Sequence, residues 1–315
     1  LPYAMLSMAA PPVWMAACGV AGGVLLAMRL PWSLRTLGLP LLLPVLLWHA
    51  PRPAAGQFEL LAADIGQGNA ILVRTATHSL LYDAGPRYSL ESDAGHRVLV
   101  PLLRAFDERL DMLVLSHRDS DHTGGAAAVL AMQPQAALLS SIEATHPLQA
   151  VRPARRCEAG QRWTWDGVDF EILHPAADDY LSFTKPNAIS CVLRIANGRA
   201  TVLLAGDIER LQEAALVSRT ADLRADVLLA PHHGSKTSSS ALFLEAVRPR
   251  IALVQAGYRN RFGHPAPEVV ERYAAQGVKL VESVPCGAML WRSREPGEVG
   301  CERERNARYW HHRLP

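Results

Sequence analysis

The run Ser116-His117-Arg118-Asp119-Ser120-Asp121-His122-Thr123-Gly124-Gly125 places four metal-ligand side chains, His117, Asp119, Asp121 and His122, within six consecutive positions. The residues just before it, Asp111-Met112-Leu113-Val114-Leu115, are apolar and β-prone, which predicts a buried strand. Gly124-Gly125 and the alanine-rich run to Met132 predict a turn into a helix. The four ligands then sit on a loop at the carboxyl end of a strand, where α/β sheets usually carry their chemistry. In an extended loop, residues two apart point the same way, so His117, Asp119 and Asp121 converge and His122 points elsewhere. That arrangement suits a pair of metal ions better than one. The plain alternative is a polar loop of solvated carboxylates and stray histidines, and the density of ligands closed by Gly-Gly argues against it.

The chain has 315 residues, 49% of them hydrophobic, and a formal net charge of +2. The length suits one large domain with an appendage. The small positive charge permits a polyanionic partner without arguing for one. Five widely spaced cysteines, Cys18, Cys157, Cys191, Cys286 and Cys301, with no Cys-x-x-Cys pair, predict neither a disulfide framework nor a zinc ribbon. The apolar excess is concentrated in residues 1–50. Val13 to Met28 lacks charge, and a second apolar run, Leu37 to Trp48, is broken by Pro40 and Pro44. A membrane span needs ~20 apolar residues. The expectation is a transmembrane segment over 1–50, the end of a polytopic protein, preferred over a signal peptide because there are two runs and no basic leader. Arg29 and Arg35 between the runs place that connection in the cytoplasm and the following domain outside. Residues 51–57 are a linker, 58–292 the soluble domain and 293–315 a polar, frayed tail.

Within the domain, further polar groups fall at predicted strand ends. Asp64-Ile65-Gly66-Gln67-Gly68 is a glycine turn between two strands, and Asp83-Ala84-Gly85 ends another. Asp83 reads equally as an Asx turn and as a support for the metal loop. Trp163 and Trp165 straddle a hairpin and read as packing. His174 reads as a surface histidine. Asp207 follows Gly206 at a strand end before a helix, where an N-cap is the bland reading. Pro231-His232-His233-Gly234-Ser235 follows a buried strand, with hydroxyls beyond it that suit an anion-binding turn.

His-x-Asp-x-Asp-His after a strand resembles the metallo-β-lactamase superfamily signature, with Asp119 where a second histidine usually stands. Together with Gly-Gly after it, Asp64-Ile65-Gly66-Gln67-Gly68, His232-His233-Gly234-Ser235 and Asn260-Arg261-Phe262-Gly263-His264-Pro265, the chain resembles the carboxy-terminal domain of the ComEC family of DNA-internalisation competence proteins. The resemblance covers Phe58 to Trp291. It implies an α/β fold, the four-layer αββα sandwich, preceded by transmembrane helices. It implies two divalent ions bridged by Asp207. One is held by His117 and Asp119, the other by Asp121, His122 and His232. Manganese is favoured over zinc or magnesium because Asp119 hardens the donor set. Asp64, Asp83, Ser235 and Asn260 would support these ligands. Many superfamily members place a ligand histidine near 187–193. This chain has none there, and Asn187 or Ser190 either holds a water or makes no contact. His233 or His264 would protonate the leaving oxygen or contact the phosphate, and Asp121 takes part in catalysis.

The function so implied is a metal-dependent nuclease of a DNA-uptake channel in the bacterial inner membrane. The soluble domain would lie on the periplasmic side, with DNA and other DNA-uptake proteins as partners. A hydrolase of a small ester, thioester or cyclic nucleotide, and a non-catalytic DNA-guiding domain, are the other readings.

Overall fold

Ile71–Arg74, Val227–Leu229 and Ile251–Val254 are strands buried at every position in a computed structural model that describes residues 9–182 and 185–308. Such continuous apolar runs suit strands covered on both faces. Among the described residues they belong to two large mixed sheets. The first runs Val299–Cys301, Met289–Arg292, Glu59–Ala62, Ile71–Arg74, Ser79–Tyr82, Met112–Leu115, Ala137–Ser140, Ala154–Arg156. The second runs Lys279–Glu282, Ile251–Val254, Val227–Leu229, Thr201–Leu204, Val192–Ala196, Val168–His174, Arg162–Trp165. The first sheet is parallel from Ser79–Tyr82 to Ala154–Arg156, the second from Thr201–Leu204 to Lys279–Glu282.

The inner faces meet in one core that includes Phe58, Leu60, Tyr82, Val114, Phe170, Ile172, Leu204 and Trp291. On the outside of the second sheet, helices Arg210–Arg219, Ala241–Val247 and Pro267–Ala275 bury Leu216, Phe243, Leu244, Val269 and Tyr273 against Leu203, Leu228 and Ala252. Helix Ala126–Met132 buries Val129 and Leu130 and belongs to the helical layer of the other half. This is the αββα order expected from the sequence. Each fully buried large apolar side chain contributes about 1.5–3 kcal/mol before chain entropy is set against it. The ligand loops therefore hang from a stiff frame.

The chain divides into two compact units, Leu1–Pro51 with Pro101–Arg109, and Arg52–Val100 with Leu110–Pro315. In the first, helix Val13–Ala27 packs on Gly38–Leu46, with Gly22 close against the backbone of Gly38, and Arg35 donates to the carbonyl of Leu26 at 2.7 and 2.9 Å. The expectation of membrane-spanning helices is corrected here. Among the described residues no helix is long and apolar enough to cross a membrane. Val13–Ala27 has 15 residues, about 22 Å of helix, between Pro12 and Met28. The second run is split into Trp32–Arg35 and the nine-residue Gly38–Leu46.

Two further expectations change. The polar tail is not frayed at its start: Val299–Cys301 is an edge strand, with Met289 opposite Cys301. The cysteines do pair, Cys157 with Cys191 and Cys286 with Cys301, leaving Cys18 free. Separations of 34 and 15 residues hid these pairs: the packing of the two sheets brings Cys157 to Cys191, and the edge strand Val299–Cys301 brings Cys301 to Cys286.

Candidate metal centre

Five strand ends deliver the site, all within the larger unit. Asp83 follows Ser79–Tyr82, residues 116–122 follow Met112–Leu115, and Asp207 follows Thr201–Leu204. His232 and His233 follow Val227–Leu229, and the loop carrying His264 follows Ile251–Val254. Asp121, His122, Asp207 and His233 each offer a ligand atom, and these atoms lie within 4.8 Å of one another. Asp207 Oδ2 stands 3.3 Å from His122 Nε2 and 3.5 Å from His233 Nε2. The same oxygen is 3.8 Å from His232 Nε2 and 4.0 Å from His117 Nε2, which lies 3.5 Å from Asp119 Oδ2. Asp207 thus faces both groups of side chains.

The imidazoles are oriented from behind. His122 Nδ1 is 2.8 Å from Asp83 Oδ2, and His233 Nδ1 is 3.0 Å from the carbonyl of Gln255. Asp83 also accepts from the Ser116 amide at 2.6 Å and the Ser116 hydroxyl at 2.9 Å. That hydroxyl, its hydrogen given to Asp83, lies 3.0 Å from His117 Nδ1 and accepts a hydrogen bond from the ring N–H. Each ring therefore presents a bare Nε2 to the centre, the tautomer a metal ligand needs. Those three Nε2 atoms and Asp207 Oδ1 are buried without a hydrogen-bond partner. Buried polar atoms are rarely left so, and the side-chain set fits divalent cations.

The electrostatics agree. Burial opposes charge on His122, but Asp207 and Asp83 raise its pKa well above the usual value. Burial likewise opposes the Asp207 carboxylate, yet His122, His233 and His117 hold its pKa well below the usual range. A cation beside Asp207 would supply positive charge there in place of a charged His122. Burial, with His233 and His232 nearby, pushes His264 down to about 4.

Local conformation explains the placement. Ser120–Thr123 is a helical turn rather than extended chain, so Asp121 and His122 share one cluster, and the expected alternation holds only for His117 and Asp119. Gly68, at φ +130°, lets its backbone lie against Asp121, where a Cβ would overlap the Asp121 carbonyl. His232 and His233 both adopt left-handed backbone, φ 52° and 54°, unusual for non-glycine residues and costly at about 1–2 kcal/mol each. That conformation aims both rings towards Asp207. Asp207 does not cap the following helix, whose capping box is Glu209 with Gln212.

Several expected residues stand elsewhere than the sequence suggests. His233, expected to handle protons, belongs to the tight cluster with Asp121 and His122, while His232 sits at its rim with Nδ1 3.3 Å from Thr237 Oγ1 and 3.5 Å from Glu209 Oε1. Asp64 pairs with Arg303 at 2.6 Å rather than with the metal loop. Ser190 Oγ accepts from the Asp207 amide at 3.2 Å and lies 3.4 Å from His117 Nδ1. Asn187 offers its carbonyl to the Ser190 amide, and Ser235 Oγ meets Thr237 Oγ1 at 3.1 Å. Asn260 holds the His264 backbone through bonds of 2.6 and 2.9 Å. His174 is buried, not superficial, with Nε2 2.9 Å from the Ala188 carbonyl and Nδ1 3.3 Å from Asp179. Trp163 stacks on Phe170, as packing. Sequence reading missed Ser116 and Gln255 as orienting groups. Ser116 was signalled by its place before His117. The Gln255 contact uses a backbone carbonyl and carries no sequence signal.

Comparisons with known proteins agree with this geometry. Residues 63–258 match the family model described as the metallo-beta-lactamase superfamily. The chain is 37% identical over 285 residues to "Competence protein ComA" of Neisseria gonorrhoeae, covering 90% of this chain and 39% of that protein. It is 36% identical to "Recombination protein 2" of Haemophilus influenzae, covering 66% of this chain and 25% of that protein. It is 30% identical to "ComE operon protein 3" of Bacillus subtilis, covering 73% and 32%. The chain thus spans only a quarter to two-fifths of these relatives. Among solved structures, the metallo-beta-lactamase fold protein YhfI of Bacillus subtilis superposes with TM-score 0.50 at 16% identity, over 75% of this chain and 99% of that one, a likeness of fold alone.

Proposed function

The chain belongs to the metallo-beta-lactamase superfamily as a domain related to ComA, ComEC and Rec2 competence proteins, and from that membership we propose that it is a metal-dependent phosphodiester hydrolase acting on DNA during uptake. The observation that carries the metal is the set of buried, unpartnered atoms, His117 Nε2, His122 Nε2, His233 Nε2 and Asp207 Oδ1. His117 and Asp119 would hold one ion, and Asp121, His122 and His233 the other. Asp207 would serve both, and His232 lies within reach at the rim. Asp119, standing where a histidine is usual, adds a carboxylate oxygen to the set, which shifts its preference from zinc towards manganese. Ions there supply water of lowered pKa and positive charge opposite a phosphoryl oxygen.

The protein's own part is orientation and access. Asp83, Ser116 and Gln255 fix the rings, and burial of His117, His122, His233 and Asp207 makes a dry wall. Asp119 and Asp121 keep side-chain exposures of 44% and 30%, so the open side, where His264 also lies, is where substrate enters. The relatives named for competence and recombination favour DNA as that substrate. Other DNA-uptake proteins would then be its partners, and the two cysteine pairs suit an oxidising compartment.

The test is cleavage of single-stranded and duplex oligonucleotides by the purified chain in manganese, magnesium, zinc or EDTA. Manganese-dependent cleavage is expected. Turnover of a thioester with no phosphodiester cleavage would replace the reading by a small-molecule hydrolase. DNA binding without turnover would replace it by a DNA-guiding role.

A further inference from the structure

The loop that carries His264 alternates aromatic and cationic side chains: Tyr258-Arg259-Asn260-Arg261-Phe262-Gly263-His264. It is anchored at both ends. The Gly257 amide donates to Gln67 Oε1 at 3.2 Å, and the Ala266 amide donates to the Gly234 carbonyl at 2.9 Å. Asn260 ties the middle to the backbone of Gly257 and His264. On this fixed frame Phe262 and Tyr258 are 54% and 47% exposed, so both rings reach the surface.

Their geometry continues the metal centre. The Phe262 ring lies 5.6 Å from the His264 ring at 22°, a stacked pair. His264 in turn lies 5.7 Å from the His232 ring and 6.2 Å from His233. Arg261 covers the Phe262 ring at 4.8 Å and Arg259 covers the Tyr258 ring at 5.1 Å. An aromatic face with a guanidinium beside it is the arrangement on which unpaired bases stack while the cation takes the phosphate. In a duplex the base faces are already stacked on one another and cannot use such a platform.

We propose that Phe262 and Tyr258, with Arg261 and Arg259, form a stacking platform that seats the bases of a single nucleic-acid strand next to the metal centre. The proposal rests on the reading of the centre as one that acts on nucleic acid. A base entering over Phe262 takes the position of the Arg261 guanidinium, which turns to the flanking phosphate. The strand is thereby registered one stacked ring away from His264, with its backbone towards His232. The occupant is a single strand rather than an acidic protein because each cation is paired with an aromatic ring, on which an unpaired base stacks and a carboxylate does not.

The test uses the full chain stripped of metal with EDTA, so that binding is read without cleavage. Fluorescein-labelled oligo(dT) is titrated by anisotropy, and oligonucleotides containing 2-aminopurine report stacking by quenching. Phe262→Ala should weaken single-strand affinity about tenfold or more and lose the quenching. Phe262→Trp should restore both, and Phe262→Leu, which keeps apolar bulk, should not. Arg261→Ala should lower the slope of log affinity against log salt by about 0.7. Parental affinity in Phe262→Ala, or no binding of oligo(dT) by the parent chain, would overturn the platform. Manganese-dependent cleavage of bis(p-nitrophenyl) phosphate by the parent, a substrate without bases, judges the hydrolase reading separately. No such cleavage beside Phe262-dependent binding would sink that reading and support the platform.

Discussion

Asp207→Asn keeps the size of the side chain but removes the charge that faces both groups of ligands. Loss of that carboxylate should abolish stable binding of two ions and lower the phosphodiesterase rate on the order of a thousandfold, ~4 kcal/mol at 1.36 kcal/mol per decade. Because Glu209 with Gln212 caps the next helix, the melting temperature of the metal-free mutant should stay near or above that of the metal-free parent. Metal counts, rates and melts on the two proteins check this, and two bound ions in the mutant would remove Asp207 from the bridge. His174 supplies a pH test away from the metal. Burial, partly offset by the Ala188 carbonyl and Asp179, lowers its pKa from the usual value, so the fold favours neutral imidazole. Its contribution is present above pH ~6.5 and is lost as pH falls through the lowered folded value. The parent's melting advantage over His174→Gln should therefore shrink between pH 7 and pH 5. A constant difference would mean that His174 does not titrate differently on folding.

At the scale of elements, the sequence made the loop legible because buried strands end where ligands begin. Met112–Leu115 before His117, and Thr201–Leu204 before Asp207, carry enough apolar pattern to place both. What pattern does not carry is local backbone. Alternation assigns Asp121 to the side of His117, but Ser120–Thr123 coils into a helical turn and sends Asp121 to His122. Nor can adjacency say which of His232 and His233 points inward, since two left-handed residues follow neither strand nor helix periodicity. The cysteine pairs and buried His174 depend on how the sheets pack and pair, a long-range property. Gly68 was legible as part of a glycine turn, its close approach to Asp121 was not, and a test follows from that approach. Gly68→Ala would force apart the turn and the Asp121 backbone, to which Asn69 donates at 3.2 Å. It should cost more than ~1 kcal/mol of stability and weaken metal affinity as well. Wild-type metal affinity with a lowered melt would separate the glycine's folding role from any hold on Asp121.

For the whole molecule, candidate ligands drawn from three strand ends, those of Met112–Leu115, Thr201–Leu204 and Val227–Leu229, mean that metal binding and the fold of the larger unit would stabilise one another. An ion that binds only the folded form adds about 2.7 kcal/mol at one hundred times its dissociation constant. Calorimetry should accordingly resolve a transition that rises with manganese and falls in EDTA. Magnesium, which sheds its own water reluctantly, should raise it less. A melt indifferent to every divalent ion would argue that the cluster holds none. The apolar runs of the first unit teach the converse lesson: composition alone predicted spans, whereas proline and arginine set helix lengths too short for them.

The left-handed pair His232-His233 makes robustness and chemistry compete for the same two positions. Glycine is the residue that backbone would choose, and glycine carries no ligand. In the metal-free state His232→Gly should be more stable than His232→Ala by about 1 kcal/mol, as denaturant melts can measure. Durability alone would therefore favour glycine at both positions. A chain with histidine at both positions gives up that margin of stability for two imidazoles that face Asp207.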